Sequence, residues 1–190
     1  MGQTAAGGHP RGDGAGESLI PDPYAFWPQL SDYDLDLFRA GHHCHLGDVL
    51  GAHAATVDGI EGVRFAVWAP NAERVSVVGD WNGFDGRWHP LRPRAPYGVW
   101  EIFLPGVRPG MLYKYEIRAA GGALRVKADP YAQQAERPPA TASVVAAPDR
   151  FAWTDQAWIE RRRGREPTDG PMSIYEVCIG SWMRGQEPDA

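Results

Sequence analysis

Five aromatic rings fall within twenty positions, Trp81, Phe84, Trp88, Tyr97 and Trp100. A flat ring offers negative π density to the C–H groups on the face of a pyranose, while amides and cations nearby hydrogen-bond its hydroxyl rim. The chemistry these residue types suit is carbohydrate stacking. Rings also plug the open end of small β-sandwiches, so both uses stay open, with at least one of Trp81 and Phe84 expected inward. A second cluster, Gly41-His42-His43-Cys44-His45, offers the common zinc ligands. Adjacent residues cannot all aim at one ion, and no second His/Cys cluster supplies the missing ligands, so neither a metal nor another cofactor is expected. The chain carries no Gly-x-Ser-x-Gly elbow, phosphate-binding loop or dinucleotide fingerprint. Glycosidic chemistry needs carboxylates about 5 to 9 Å apart in a cleft. The acidic residues here cluster in turns and form no such pair, so no catalytic residue is assigned.

The elements that must hold those rings are short. The 190 residues allow one domain with extensions and are too few for a (β/α)₈ barrel of about 250 residues. Gly and Pro, 23 and 17 residues, make about a fifth of the chain, which favours turns over long helices. Val63, Phe65 and Val67 alternate with Arg64, Ala66 and Trp68, and Arg74 to Val78 follow a turn. Trp100, Ile102 and Leu104 share one face of a run from Val99. Tyr113, Tyr115 and Ile117 point opposite to Lys114, Glu116 and Arg118. Gly121-Gly122 is a hairpin tip leading to Leu124–Lys127, and a last strand is expected within Thr141–Val145. Six or seven short strands with turn signals between them predict an all-β, immunoglobulin-like sandwich over 61–147.

Residues 1–18 lack apolar periodicity and are expected to be disordered. Residues 19–60 read as a short helical and aromatic docking segment, in which Ser31-Asp32 caps a helix carrying Leu35, Leu37 and Phe38, and Gly41 ends it. Beyond a polar linker at 148–170 with an Arg run, Ser173 to Gly180 has the apolar character of a strand buried on both faces. The net charge of -5 and the presence of only two lysines, Lys114 and Lys127, argue against nucleic acid as a partner. No apolar run suits a membrane span or a signal peptide, and a cytoplasmic location is expected. Cys44 and Cys178 lie in dissimilar segments and are expected as thiols.

Seven stretches, in order, resemble one family: Asp22-Pro23-Tyr24-Ala25-Phe26, Leu46 to His53, Arg64 to Ala72, Val77 to Phe84, Leu112 to Ile117, Lys127 to Ala132 and Met172 to Val177. The chain resembles the N-terminal part of the bacterial 1,4-α-glucan branching enzymes, of the α-amylase superfamily (glycoside hydrolase family 13). The resemblance implies a carbohydrate-binding module of family 48, a glucan partner such as glycogen or a starch-like polysaccharide, and at 171–190 the first strand of a catalytic barrel. It also implies retaining glycosyl transfer to a 6-hydroxyl, carried out by carboxylates on later barrel strands beyond Ala190. The chain is thus expected to be a fragment, inactive alone, with the remaining barrel as its partner. The candidate carbohydrate-binding residues are Trp81, Phe84, Trp88 and Lys114, of which the resemblance implies Phe84 and Lys114 and the aromatic cluster adds Trp81 and Trp88. The family's Gly-Asp-Phe-Asn-x-Trp appears as Gly79-Asp80-Trp81-Asn82-Gly83-Phe84 with its two rings exchanged, while Cys178 and Met183 replace a usual His and Arg. The alternatives are a purely structural or protein-interaction sandwich, or the N-terminal part of a debranching or trehalose-releasing hydrolase.

Overall fold

The computed structural model describes residues 21–148, 152–164, 170–178, 180 and 182. The residues expected to be disordered, 1–18, lie outside them, as do Ile179, Ser181 and 183–190 of the expected barrel strand. Two compact units divide at Pro148.

The first unit is a sandwich of two antiparallel sheets. One sheet has the order β1 (Gly51–Val57), β2 (Ile60–Trp68), β5 (Val99–Pro105), β4 (Arg92–Arg94). The other has the order β3 (Ala72–Gly79), β6 (Leu112–Ala119), β9 (Ser143–Val144), β8 (Gln134–Ala135), with β7 (Leu124–Lys127) also on β6. Because successive strand residues face opposite ways, the alternation read in the sequence determines the core. Val63, Phe65 and Val67 meet Ile102 and Leu104 from the first sheet and Val75, Val77, Tyr113 and Tyr115 from the second, with Trp100 and Ile117 half-buried against them. β1 brings 51–57 into the sandwich, upstream of the expected start at 61. It is joined to β2 by Asp58 and Gly59, both at positive φ (51° and 78°), as a two-residue hairpin requires.

The outer face of the first sheet is covered by residues 21–50. In α1 (Asp32–Ala40), Ser31 accepts the amide N–H of Asp34. Gly41 closes the helix at φ 72°, its N–H reaching Phe38 and that of His42 reaching Leu37. This left-handed residue pairs the last orphan carbonyls, a geometry that favours glycine. Leu30, Leu35, Val49 and Leu50 pack on Ala66 and Val99, and Phe26 meets Phe103 edge-on with centroids 4.9 Å apart. A short α2 (Leu46–Val49) leads into β1.

Glu101, on β5 and 2% exposed, ties this layer down. Its Oε2 accepts the N–H groups of Gln29 (2.8 Å) and Leu30 (3.0 Å), and Arg94 donates to its Oε1. Arg94 also reaches the Leu30 carbonyl (2.8 Å) and Asp32 (2.6 Å). The buried charge is therefore paired and its lone pairs are occupied, as burial demands.

In the second unit, α3 (Gln156–Arg163) places Arg162 over the Trp158 ring at 5.3 Å. The described residues of 170–182 form no strand, and Met172, Ile174 and Tyr175 are exposed. Apolar character alone does not make a strand. Its N–H and C=O groups need a ladder partner, and none of the described residues supplies one.

Candidate functional site

The aromatic turn is built between β3 and β4 by a single amide. At the end of β3 the Asn82 side chain accepts the Gly79 N–H through Oδ1 (2.9 Å), donates through Nδ2 to the Val77 carbonyl (3.1 Å) and lies 3.0 Å from His89 Nδ1. The two ends of the loop are thereby held on one residue. The return leg is laced to the edge of β3 by Val77 N–H to the His89 carbonyl (3.2 Å) and Leu91 N–H to the Val75 carbonyl (2.7 Å), with a bridge between Ser76 and Pro90. Asp80 is committed to the Leu112 N–H at 2.7 Å.

Trp81 points inward. Its ring packs on Phe65 with centroids 5.5 Å apart, and a Cβ on Gly79 would lie 2.7 Å from it. Only a residue without a side chain lets the indole lie this close to the strand. The indole N–H is buried and meets no acceptor among the described residues. Of the two rings expected at the ends of the Trp81–Phe84 motif, this one belongs to the core.

Phe84 and Trp88 face out, 41% and 51% exposed. Phe84 sits at φ 58°, in the left-handed region, where an L-residue with a bulky side chain is strained by about 1 to 2 kcal/mol. Between them Gly86 rests on the outer face of the second sheet. A Cβ there would stand 2.1 to 2.5 Å from the Glu116 carboxylate, which accepts Arg74 at 2.8 Å. Lys114 lies on the same face of β6, two residues or about 7 Å along the strand, and donates to the Thr141 hydroxyl at 2.7 Å. The loop therefore presents two exposed rings on a turn seated over Glu116, with the Lys114 ammonium two residues along the same strand face.

The acidic groups here are already engaged. Glu116 pairs with Arg74, Asp80 caps Leu112, and Arg87 holds Asp85, whose carboxyl its hydrogen bonds pull down to about 2. Asp85 is thereby drawn away from the protonated form that a general acid needs. Stacking and hydrogen bonding to a neutral ligand suit this surface.

The other rings of the cluster are structural. Trp100 donates to the Ala69 carbonyl at 3.0 Å, and the Tyr97 hydroxyl reaches Asp36 at 3.1 Å under the Arg39 guanidinium. In the histidine cluster, His43 lies 3.2 Å from Asp34, and its Nδ1 accepts the His45 N–H at 3.1 Å. The Ser31 hydroxyl donates to the Asp34 carboxyl and lowers it below the usual range. Among the described residues no three His, Cys, Asp or Glu side chains converge to hold a metal. Asn82, Gly86 and Glu116 carry the geometry of the face without having been singled out in the sequence. The alternation placing Glu116 beside Lys114 was visible there, but the turn folding back over it was not.

Residues 49–132 match the family model described as carbohydrate-binding module 48 (isoamylase N-terminal domain). The chain is 54% identical over 174 residues to the 1,4-alpha-glucan branching enzyme GlgB of Pseudomonas syringae pv. syringae, a match covering 92% of this chain and 24% of that protein. It is 58% identical over 162 residues to the protein of the same description from Bordetella parapertussis, covering 85% and 22%. The chain thus spans about a quarter of the length of these curated relatives. Among solved structures, the pullulanase from Bacillus acidopullulyticus matches 52% of this chain and 12% of its own at a TM-score of 0.41 and 22% identity.

Proposed function

The chain belongs with the bacterial 1,4-α-glucan branching enzymes as the counterpart of their N-terminal part, its residues 49–132 being a carbohydrate-binding module of family 48, and on that premise we propose that it holds α-glucan on the face formed by Phe84, Trp88 and Lys114. The observation that carries this is the pair of exposed rings on the loop that Asn82 closes and Gly86 seats on Glu116, two residues along β6 from Lys114. Each ring stacks on a pyranose face, and Lys114 donates to the hydroxyl rim. Trp81 supports the turn from beneath. A Phe in place of a Trp at position 84 offers a smaller platform, so affinity is low and long, multivalent polymers are the ligands held best.

In the complete protein the activity is branching, the transfer of an α-1,4-glucan segment to a 6-hydroxyl. This chain supplies glucan binding and the docking layer of residues 21–50, and its partners are α-glucan and the remainder of a catalytic barrel. A cytoplasmic location fits such a role. Among the described residues no helix is long and apolar enough to cross a membrane.

Co-sedimentation with glycogen tests the binding. The wild-type chain is expected to enter the pellet, Phe84→Trp more strongly, and Phe84→Ala with Trp88→Ala to stay in the supernatant at unchanged melting temperature. A wild-type chain and a Phe84→Trp variant that both remain in the supernatant would overturn the proposal. Ring variants that lower the melting temperature without changing sedimentation would make the sandwich a structural module instead.

A further inference from the structure

The loop that carries Phe84 and Trp88 does not end at the sheet face. At Pro90 the chain leaves the edge of β3, passes through Leu91 in the core and joins β4 of the opposite sheet at Arg92. The aromatic segment of the docking layer is fastened at that crossing. The Tyr24 hydroxyl donates to the Pro90 carbonyl at 2.8 Å, sixty-six positions away in sequence. Arg92 donates to the backbone carbonyls of Tyr24 and Phe26, and its guanidinium lies 5.6 Å from the centre of the Tyr24 ring. Asp22 caps the turn by accepting the Tyr24 N–H at 2.9 Å.

Such fastening is unusual for a ring that is 39% exposed. A tyrosine that merely filled space would be buried. One that was only solvated would not be held by its hydroxyl, by its own backbone and by a cation near its ring. The result is a rigid, half-exposed aromatic surface on the open edge of the sandwich. Pro90 is two residues from Trp88, which at about 3.5 Å per residue is at most about 7 Å of chain. A preorganised ring forfeits little conformational entropy on binding, and every added platform in line lengthens the track that a polymer can occupy.

We propose that Tyr24 is a further α-glucan subsite, so that a glucan chain held by Phe84 and Trp88 continues round the sandwich edge, over Pro90, onto the docking segment. This rests on the glucan-binding face proposed above. It makes residues 21–27 part of the ligand surface and sets a minimum chain length: a short oligosaccharide occupies only the loop rings, whereas a long one gains from Tyr24.

The test is chain-length dependence, measured on the full chain by titration with maltotriose and with long linear malto-oligosaccharides. Tyr24→Ala is expected to weaken binding of the long chains by roughly two- to ten-fold, the scale of one aromatic contact, and to leave maltotriose unchanged. Tyr24→Phe, which keeps the ring, is expected to retain most of the gain. Trp88→Ala is expected to weaken both ligands. Equal binding of long chains by Tyr24→Ala and wild type, alongside weakened binding by Trp88→Ala, would overturn the edge subsite and leave the loop face standing. Tyr24→Ala and Tyr24→Phe losing affinity equally at every length would overturn it too, because the tyrosine would then act through the fold. No binding of either ligand by wild type would overturn the glucan face and this subsite together.

Discussion

Replacing Glu101 by alanine is expected to release the docking layer from the sandwich. Three donors converge on this carboxylate: the Gln29 and Leu30 amides and the Arg94 guanidinium. The Arg94 side chain is itself only 15% exposed. Removing the carboxylate leaves a nearly buried cation without its partner, a change that costs about 3 to 5 kcal/mol when water cannot replace the lost group. Arg94 keeps the Leu30 carbonyl and the exposed Asp32, which moves the expected loss toward about 3 kcal/mol. Glu101→Gln keeps the shape and one oxygen able to accept both amides, but turns an NH₂ group or a neutral oxygen toward Arg94. Its expected loss is about half as large. At about 2 to 4 °C per kcal/mol for a chain of this size, the alanine variant should melt roughly 6 to 12 °C lower. Thermal unfolding by circular dichroism measures the shift, and hydrogen exchange at the Gln29 and Leu30 amides shows whether the loss is local. An alanine variant within about 1 kcal/mol of wild type, with both amides still protected, would refute the assignment of Glu101 as the anchor.

Gly86→Ala drives a Cβ to 2.1 Å from the Glu116 carboxylate. It should lift the turn and reduce glycogen sedimentation several-fold, and Gly86→Ala with Glu116→Ala should restore part of it; a double variant no better than the single one would refute the contact. Phe84→Gly relieves the strain at φ 58° and should raise stability by about 1 kcal/mol while weakening glucan binding; a loss of stability in urea titration would mean that the ring is a packing element. Burial raises the Asp129 carboxyl above its usual value, against the lowering effect of the Tyr113 hydroxyl that donates to it at 2.6 Å. The folded state therefore holds that proton more tightly than the unfolded chain, and this contribution to stability is lost as pH rises from about 4 through the raised value. Stability measured in urea from about pH 4 to 7 should fall more in wild type than in Asp129→Asn, and parallel profiles would refute the assignment.

Much of the sandwich was legible because its alternation is strong. Tyr113, Tyr115 and Ile117 against Lys114, Glu116 and Arg118 can be satisfied by only one register, and the helix from Ser31 to Gly41 carries both of its caps in its residue types. β1 was missed because Gly51–Val57 is built largely of small residues whose apolar face is faint, although Asp58-Gly59 is a strong hairpin signal. The stretch around Ile174 has strand composition, but composition cannot show whether a partner exists.

The site divides along the same line. Which residue types can stack on sugar is a local property, and among the rings it offers the fold leaves Phe84 and Trp88 exposed. Which of two rings three positions apart points out is decided by Gly79, whose missing side chain admits Trp81 to the core. It is decided also by Asn82, which closes the loop so that Phe84 is forced past the strand edge into a strained backbone conformation. Exchanging the two rings would set a phenyl group against Phe65, where the smaller ring would leave part of the indole's volume empty. It would also set an indole at the left-handed position, where the larger ring would gain stacking area. A Trp81→Phe, Phe84→Trp double variant should therefore bind glucan more tightly and be less stable, the two effects tracing to opposite ends of one four-residue turn. One pair of measurements checks this: glycogen sedimentation and urea unfolding must move in opposite directions, and a variant gaining in both would show that Gly79 does not select for the indole.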